Sequence, residues 1–214
     1  MPDIGHLDPA RYPGDGKRKK AQAFKDDKKR CYNDNKMKYP TLFHLISAAV
    51  EEKKVSCVLI GGFAVNYYKV SRYTAVLDFL ITKDDFKKIL VLLEQEGYRQ
   101  GYGHEVFSRL RTESDYLLDI DFMFVDRETL DKIIKDASQI YIAGEKFLVP
   151  SLEHLIALKL HAIKHNPEVR EDRDLPDIVN MARSNGLDTE SPGFKKLCLQ
   201  YGTQELYDKI VRKV

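Results

Sequence analysis

The sequence predicts an α/β fold: a mixed β-sheet flanked by helices, followed by a helical C-terminal part. Three observations lead there. Val55–Ile60 reads as a short apolar strand that runs through Gly61-Gly62 into a helix. Two further apolar segments, Val76–Thr82 and Leu117–Phe124, are strand-like and carry carboxylates. After Ser151 the apolar residues recur at helical spacing almost to the end.

Taken in order, Leu42, Leu45, Ile46, Ala49 and Val50 form one apolar helix face. Val55–Ile60 is β-branched and apolar, and too short for a helix of its own. Gly61 and Gly62 end it with a turn open to positive φ, and a helix from about Phe63 to Lys69 follows. Val76–Thr82 is apolar on both faces, so it is a central strand. Phe86–Gly97 is an amphipathic helix built on Ile89, Leu90, Leu92 and Leu93. Ser138–Val149 reads as a hairpin turning at Ala143-Gly144-Glu145. Helices are expected at Leu152–Lys164, at Leu175–Arg183 and around Phe194 and Leu206. The expected division is a polar extension over 1–36, an α/β core over 37–150 and a helical part over 151–214 packed on that core.

The chemistry sits in the strands. An ionised Asp78 inside an apolar strand is expensive unless it is paired, hydrogen-bonded or bound to a metal. Alternation puts Asp119 and Asp121 on one face of the later strand, opposite Leu118, Ile120 and Phe122. Three carboxylates would repel each other in a dry interior, and a hard cation such as Mg2+ (or Mn2+) would relieve that repulsion. The plainer alternative leaves one or two of these acids at strand ends in water. Free N–H groups behind Gly61-Gly62 suit an anion, although such a pair also serves simply to pack a strand on a helix.

These residues resemble the nucleotidyltransferase fold of the DNA polymerase β superfamily. Gly61-Gly62, a short helix, Val76-Leu77-Asp78 and later Ile120-Asp121-Phe122 follow its order of motifs. Arg72-Tyr73-Thr74 is similar to the Arg-x-Thr that precedes the acidic strand in small bacterial members. More narrowly, the chain resembles the abortive-infection type, a toxin-like group. That resemblance runs through Val149–Ala162 and on to Arg170 and Arg173-Asp174-Leu175-Pro176-Asp177-Ile178.

The resemblance implies an NTP substrate, Mg2+ (or Mn2+) on Asp78 and Asp121, and catalytic roles for Asp78, Asp121 and Asp174. It implies nucleotide contacts from Gly61, Gly62, Arg72, Thr74 and Lys159, and a toxin or antitoxin as partner. Each also has a plainer reading. Arg72 makes a surface ion pair, Lys159 snorkels from an apolar helix to water, and Asp174 caps a helix that starts near Pro176.

One departure stands out: the family's first strand acid falls on Val76, which binds no cation. Losing a ligand of a two-metal centre, whose ions lie about 3.5–4 Å apart, should cost orders of magnitude in rate. Asp119, one pleat from Asp121, is a candidate substitute ligand. The leading expectation is transfer of a nucleoside monophosphate from an NTP to an RNA end, a protein hydroxyl or a small molecule, with Val76 impairing it. The alternative is an inactive nucleotide- or partner-binding module, a pseudoenzyme of antitoxin-like kind. A dinucleotide-binding reading is weak, because no G-x-G-x-x-G follows the first strand.

Composition fits a soluble chain of 214 residues, 43% hydrophobic and 32% charged, with a formal charge of +2. That charge implies no general attraction to nucleic acid. No apolar stretch approaches the roughly 20 residues of a membrane span, and the start lacks a signal-peptide core. Cys31, Cys57 and Cys198 show no zinc or disulfide pattern, which suits the cytoplasm. His161 and His165 lie one helical turn apart, a weak zinc pattern. The first 36 residues are rich in Pro, Gly, Asp and Lys and contain Lys17-Arg18-Lys19-Lys20. They read as a flexible extension, with a nucleic-acid arm as the sharper alternative.

Overall fold

The computed structural model describes residues 38–113 and 117–214. Readings on the first 36 residues lie outside it. Contacts divide the chain into residues 1–40 and a unit of Thr41–Val214, and the account below concerns the second.

Its sheet has five strands in the order β1-β2-β5-β4-β3. They are β1 (Cys57–Leu59), β2 (Val76–Ile81), β3 (Tyr98–His104), β4 (Phe107–Thr112) and β5 (Asp119–Phe124). β2 and β5 run parallel at the centre, while β1–β2, β4–β5 and β3–β4 are antiparallel, so the sheet is mixed as expected. Helices α1 (Leu42–Lys53), α2 (Gly61–Tyr67), α3 (Lys83–Gln95) and α4 (Arg127–Lys135) lie between or around the strands. A hairpin of β6 (Ser138–Ile142) and β7 (Glu145–Val149) turns through Ala143 and Gly144, both at positive φ. The C-terminal helices are α5 (Leu152–His165), α6 (Pro167–Ser184), α7 (Pro192–Tyr201) and α8 (Gln204–Lys213).

Strand alternation divides the core. Leu77, Phe79, Ile81, Ile120 and Phe122 are fully buried on one face. There Phe86 of α3 lies 5.0 Å from both Phe122 and Phe124, and Phe79 stacks on Phe122. On the opposite face Leu80 joins Val58, Ile60, Leu130 and Ile133, with Met123, Leu148 and Leu158 packed against them. Asp78 and Asp121 share this second face with Leu80 and Met123. The acids therefore sit beside an apolar cluster that brings α4 and α5 onto the sheet.

The differences from expectation have local causes. β1 is shorter than Val55–Ile60, because Ile60 already serves as the N-cap of α2. α3 begins three residues before Phe86 because the Thr82 side chain accepts from the Asp85 N–H. The hairpin β3–β4 and helix α4 were not expected at all. The largest correction is α6, which is one helix over Pro167–Ser184 with Pro176 inside it. Pro176 costs the bond to the carbonyl of Asp172, but the helix packs against both α5 and α8. Asp174 thus lies in mid-helix, and its reading as an N-terminal cap is wrong.

Candidate functional site

Register builds the site. Asp78 on β2 pairs directly with Asp121 on β5, and Asp121 pairs with Arg109 on β4. Tyr102 on β3 pairs in turn with Arg109. One row across four strands therefore reads Asp78, Asp121, Arg109, Tyr102. The row beside it holds Val76 against Asp119, and Arg111 Nε lies 4.0 Å from Asp119 Oδ2.

The helix expected over about Phe63–Lys69 runs instead over Gly61–Tyr67, so the two glycines form its first turn, and Asp78 packs against that turn. Gly61 has φ +63°, and a Cβ there would fall 2.0 Å from Asp78 Oδ2. The Gly62 N–H donates to the Asp78 carboxylate. Burial pushes Asp78 up to about 6, Asp121 pushes the same way, and Lys159, Arg170 and that N–H oppose them. A Cβ on Gly62 would fall 2.7 Å from the Thr74 Cβ, so Thr74 closes over the turn, and its hydroxyl donates to the Val76 carbonyl at 2.9 Å. Both glycines are thus required by close approach.

Asp121 is 6% exposed and already has a cationic partner. Arg109 Nε and Nη2 donate to its two carboxylate oxygens at 2.6 and 2.5 Å, a bidentate fork. Those bonds hold the guanidinium above its ordinary value. The Arg109 fork lies 5.9 Å from the Phe107 ring.

The C-terminal helices add a second charged group. Lys159 of α5 is buried and donates to Asp174 Oδ1 and Asp177 Oδ2 of α6, each at 2.7 Å. Arg72 pairs with Asp177, and Arg170 Nη1 lies 3.6 Å from Asp174 Oδ2. Burial pushes Lys159 down from the usual lysine range, and the charge and hydrogen bond of Asp174 push back. Lys159 therefore does not snorkel to water. Arg72 is also fixed through its backbone: the Asn66 side chain accepts from its N–H at 2.7 Å and donates to its carbonyl at 3.0 Å.

Among the residues expected at the site, Asp78, Asp121, Gly61, Gly62 and Thr74 come together, and Lys159, Asp174 and Arg72 form the adjoining network. Asp119 stands one row away toward Arg111. Among the described residues, no three His, Cys, Asp or Glu side chains gather as a metal-holding group, so the trio Asp78, Asp119 and Asp121 does not form one. The cause is the register, which sets Asp119 opposite Val76 rather than beside Asp78. His161 and His165 stack at 4.3 Å with no third ligand. The sequence suggested no site role for Arg109 or Asn66, and Asp177 stood in the Arg173–Ile178 motif without a role of its own. Asp177 was readable as the i+3 neighbour of Asp174, whereas Arg109 depends on a strand pairing that no local signal gives.

An α/β sheet with a glycine turn under a paired-acid row, closed by C-terminal helices, defines the nucleotidyltransferase class of fold. Solved structures agree. The antibiotic-resistance factor ANT(2'')-Ia in solution is similar with a TM-score of 0.56 at 16% identity, over 80% of this chain and 94% of that one. Its complex with adenylyl-2''-tobramycin gives 0.52 at 16% identity, over 80% and 96%. An antigenic nucleotidyltransferase-like protein from Paracoccidioides brasiliensis gives 0.51 at 13% identity, over 79% and 89%. No curated protein sequence matches the chain. A family model described as uncharacterised nucleotidyltransferase matches residues 22–212, and the chain belongs to that family.

Proposed function

We propose that the chain transfers a nucleoside monophosphate from an NTP to an acceptor hydroxyl, with Asp78 as the central acid. The observation that carries the reading is Asp78 beside Asp121 in register over the Gly61-Gly62 turn. The family implies Mg2+. Asp78 is buried beside a second carboxylate and Arg109 pairs only with Asp121, which suits one cation shared by Asp78 and Asp121. It does not suit two, because Val76 supplies no donor. When bound, such a cation would neutralise developing phosphoryl charge.

The remaining steps belong to the protein. Asp78 orients the reacting group, and the Gly61-Gly62 backbone sets how closely a phosphate approaches. Arg72 and Arg170 supply fixed positive charge beside it. The Lys159 network locks α5 to α6 and so fixes the place of Arg170. In this reading the chain works like the abortive-infection group that its motifs resemble, with a toxin or antitoxin as partner. One neighbour, solved with adenylyl-2''-tobramycin, suggests a small hydroxyl-bearing molecule as one acceptor class.

Val76 and the fork of Arg109 on Asp121 favour a second reading, nucleotide binding without turnover. Transfer of label from α-labelled NTPs, with Mg2+ or Mn2+, separates the two. It should be run on the chain, on Val76→Asp and on Asp78→Ala. Transfer by the chain, lost in Asp78→Ala, supports the enzyme. Transfer only by Val76→Asp supports the binding module, and silence from all three, with no nucleotide affinity, rejects both readings.

A further inference from the structure

Arg109 is the feature of the site that the proposed chemistry leaves unused. It comes from β4, and its two donors occupy both oxygens of Asp121, the acid that pairs with Asp78. A cation held between Asp78 and Asp121 needs at least one of those oxygens. The guanidinium lies on the open side of the sheet: its row continues to Tyr102, which is 63% exposed, and the Phe107 ring lies 5.9 Å from it. Arg109 itself is only partly buried.

We propose that Arg109 is an internal counter-ion that competes with a divalent cation for Asp121. The inference rests on the reading that Asp78 and Asp121 hold such a cation. Without ligand, Arg109 neutralises Asp121 and keeps the buried acid pair from carrying two uncompensated charges. An incoming metal–polyphosphate complex carries both signs of charge. Asp121 would then hold its cation, and the released Arg109 fork would hold its phosphate oxygens, for which guanidinium geometry is well matched. The exchange leaves no charge stranded. The site would therefore bind bare metal weakly and metal with polyphosphate well. Because Val76 withholds a further anionic donor, this competition weighs more here than it would in a site with three acids.

The test is Mn2+ binding followed by electron paramagnetic resonance and calorimetry on the full chain, without nucleotide. The variants are Arg109→Gln, Arg109→Gln with Asp121→Asn, Arg109→Lys and Asp78→Asn. Arg109→Gln should bind Mn2+ ~10-fold or more tighter, the equivalent of one charge-assisted hydrogen bond released. The gain should vanish when Asp121→Asn is added. Arg109→Lys, which keeps the charge but loses the fork and is the milder change for folding, should fall between.

Mn2+ affinity that is unchanged or weaker in both folded Arg109 variants overturns the competition. If Asp78→Asn still weakens binding in that case, the reading of the acid pair survives. If neither the chain nor any variant binds Mn2+ at this pair, both the competition and the underlying reading fail.

Discussion

Replacing Lys159 with Met probes the charge network that joins α5 to α6. Lys159 is 7% exposed, and its ammonium bonds to the carboxylates of Asp174 and Asp177, residues that are 4% and 6% exposed. Methionine matches the length of the stem, so little volume changes. What changes is that two buried acids on one helix face lose their shared cation. Removing one partner of a buried ion pair costs about 3–5 kcal/mol. Arg72 on Asp177 and Arg170 near Asp174 remain, which places the expected loss near the low end, at about 3 kcal/mol. For a unit of this size that is a fall of roughly 6–12 °C in Tm, read by calorimetry and checked by urea unfolding. Adding Asp174→Asn removes one stranded acid and leaves Arg72 paired with Asp177, so it should recover part of the loss. A loss below about 1 kcal/mol for Lys159→Met would mean that the acids were already satisfied by water, and would refute the network as described.

Other perturbations follow from the same geometry. Gly61→Ala forces a non-glycine residue to positive φ and drives its Cβ into Asp78, so it should cost at least about 1–3 kcal/mol in thermal unfolding. An unchanged Tm would contradict the close approach. Phe122→Ala removes a fully buried ring packed between Phe79 and Phe86 and should cost about 3–5 kcal/mol by denaturant titration. Burial pushes Asp85 up, but hydrogen bonds from Lys88 and Arg127 outweigh it and hold the carboxyl below its usual range. Its contribution to stability is therefore full above about pH 4, the unfolded value, and is lost as pH falls through the lower folded value. Asp85→Asn should flatten that acid limb; an identical pH profile would show that Asp85 does not carry it.

The sequence showed most of the sheet centre and little of its outer half. Strands β2 and β5 are continuous apolar runs, so they could be read without tertiary information, and their acids stood out against that background. Strand β3 is exposed from Arg99 to His104 and contains two glycines, so neither alternation nor hydrophobicity marks it. Without β3 and β4 the position of Arg109 was invisible, and with it the partner of Asp121. Lys159 failed differently. An isolated lysine on an apolar helix reads equally as a snorkelling residue or as a ligand, and the two carboxylates that decide the matter arrive from α6. Pro176 misled because proline usually marks a helix start, whereas here packing by neighbouring helices carries the chain through it.

The strand order leaves β3 outermost, with its far backbone edge lacking a strand partner among the described residues. Such an edge is a template on which a second chain can add a strand. The register slips between Gln100 and Tyr102, with Gly101 between them, and Arg99 places a charge near the start of the strand. The slip bends the ladder, the glycine weakens β propensity, and the charge repels a like neighbour. The stretch that hid the strand from sequence reading therefore also makes this edge a poor template for a further strand.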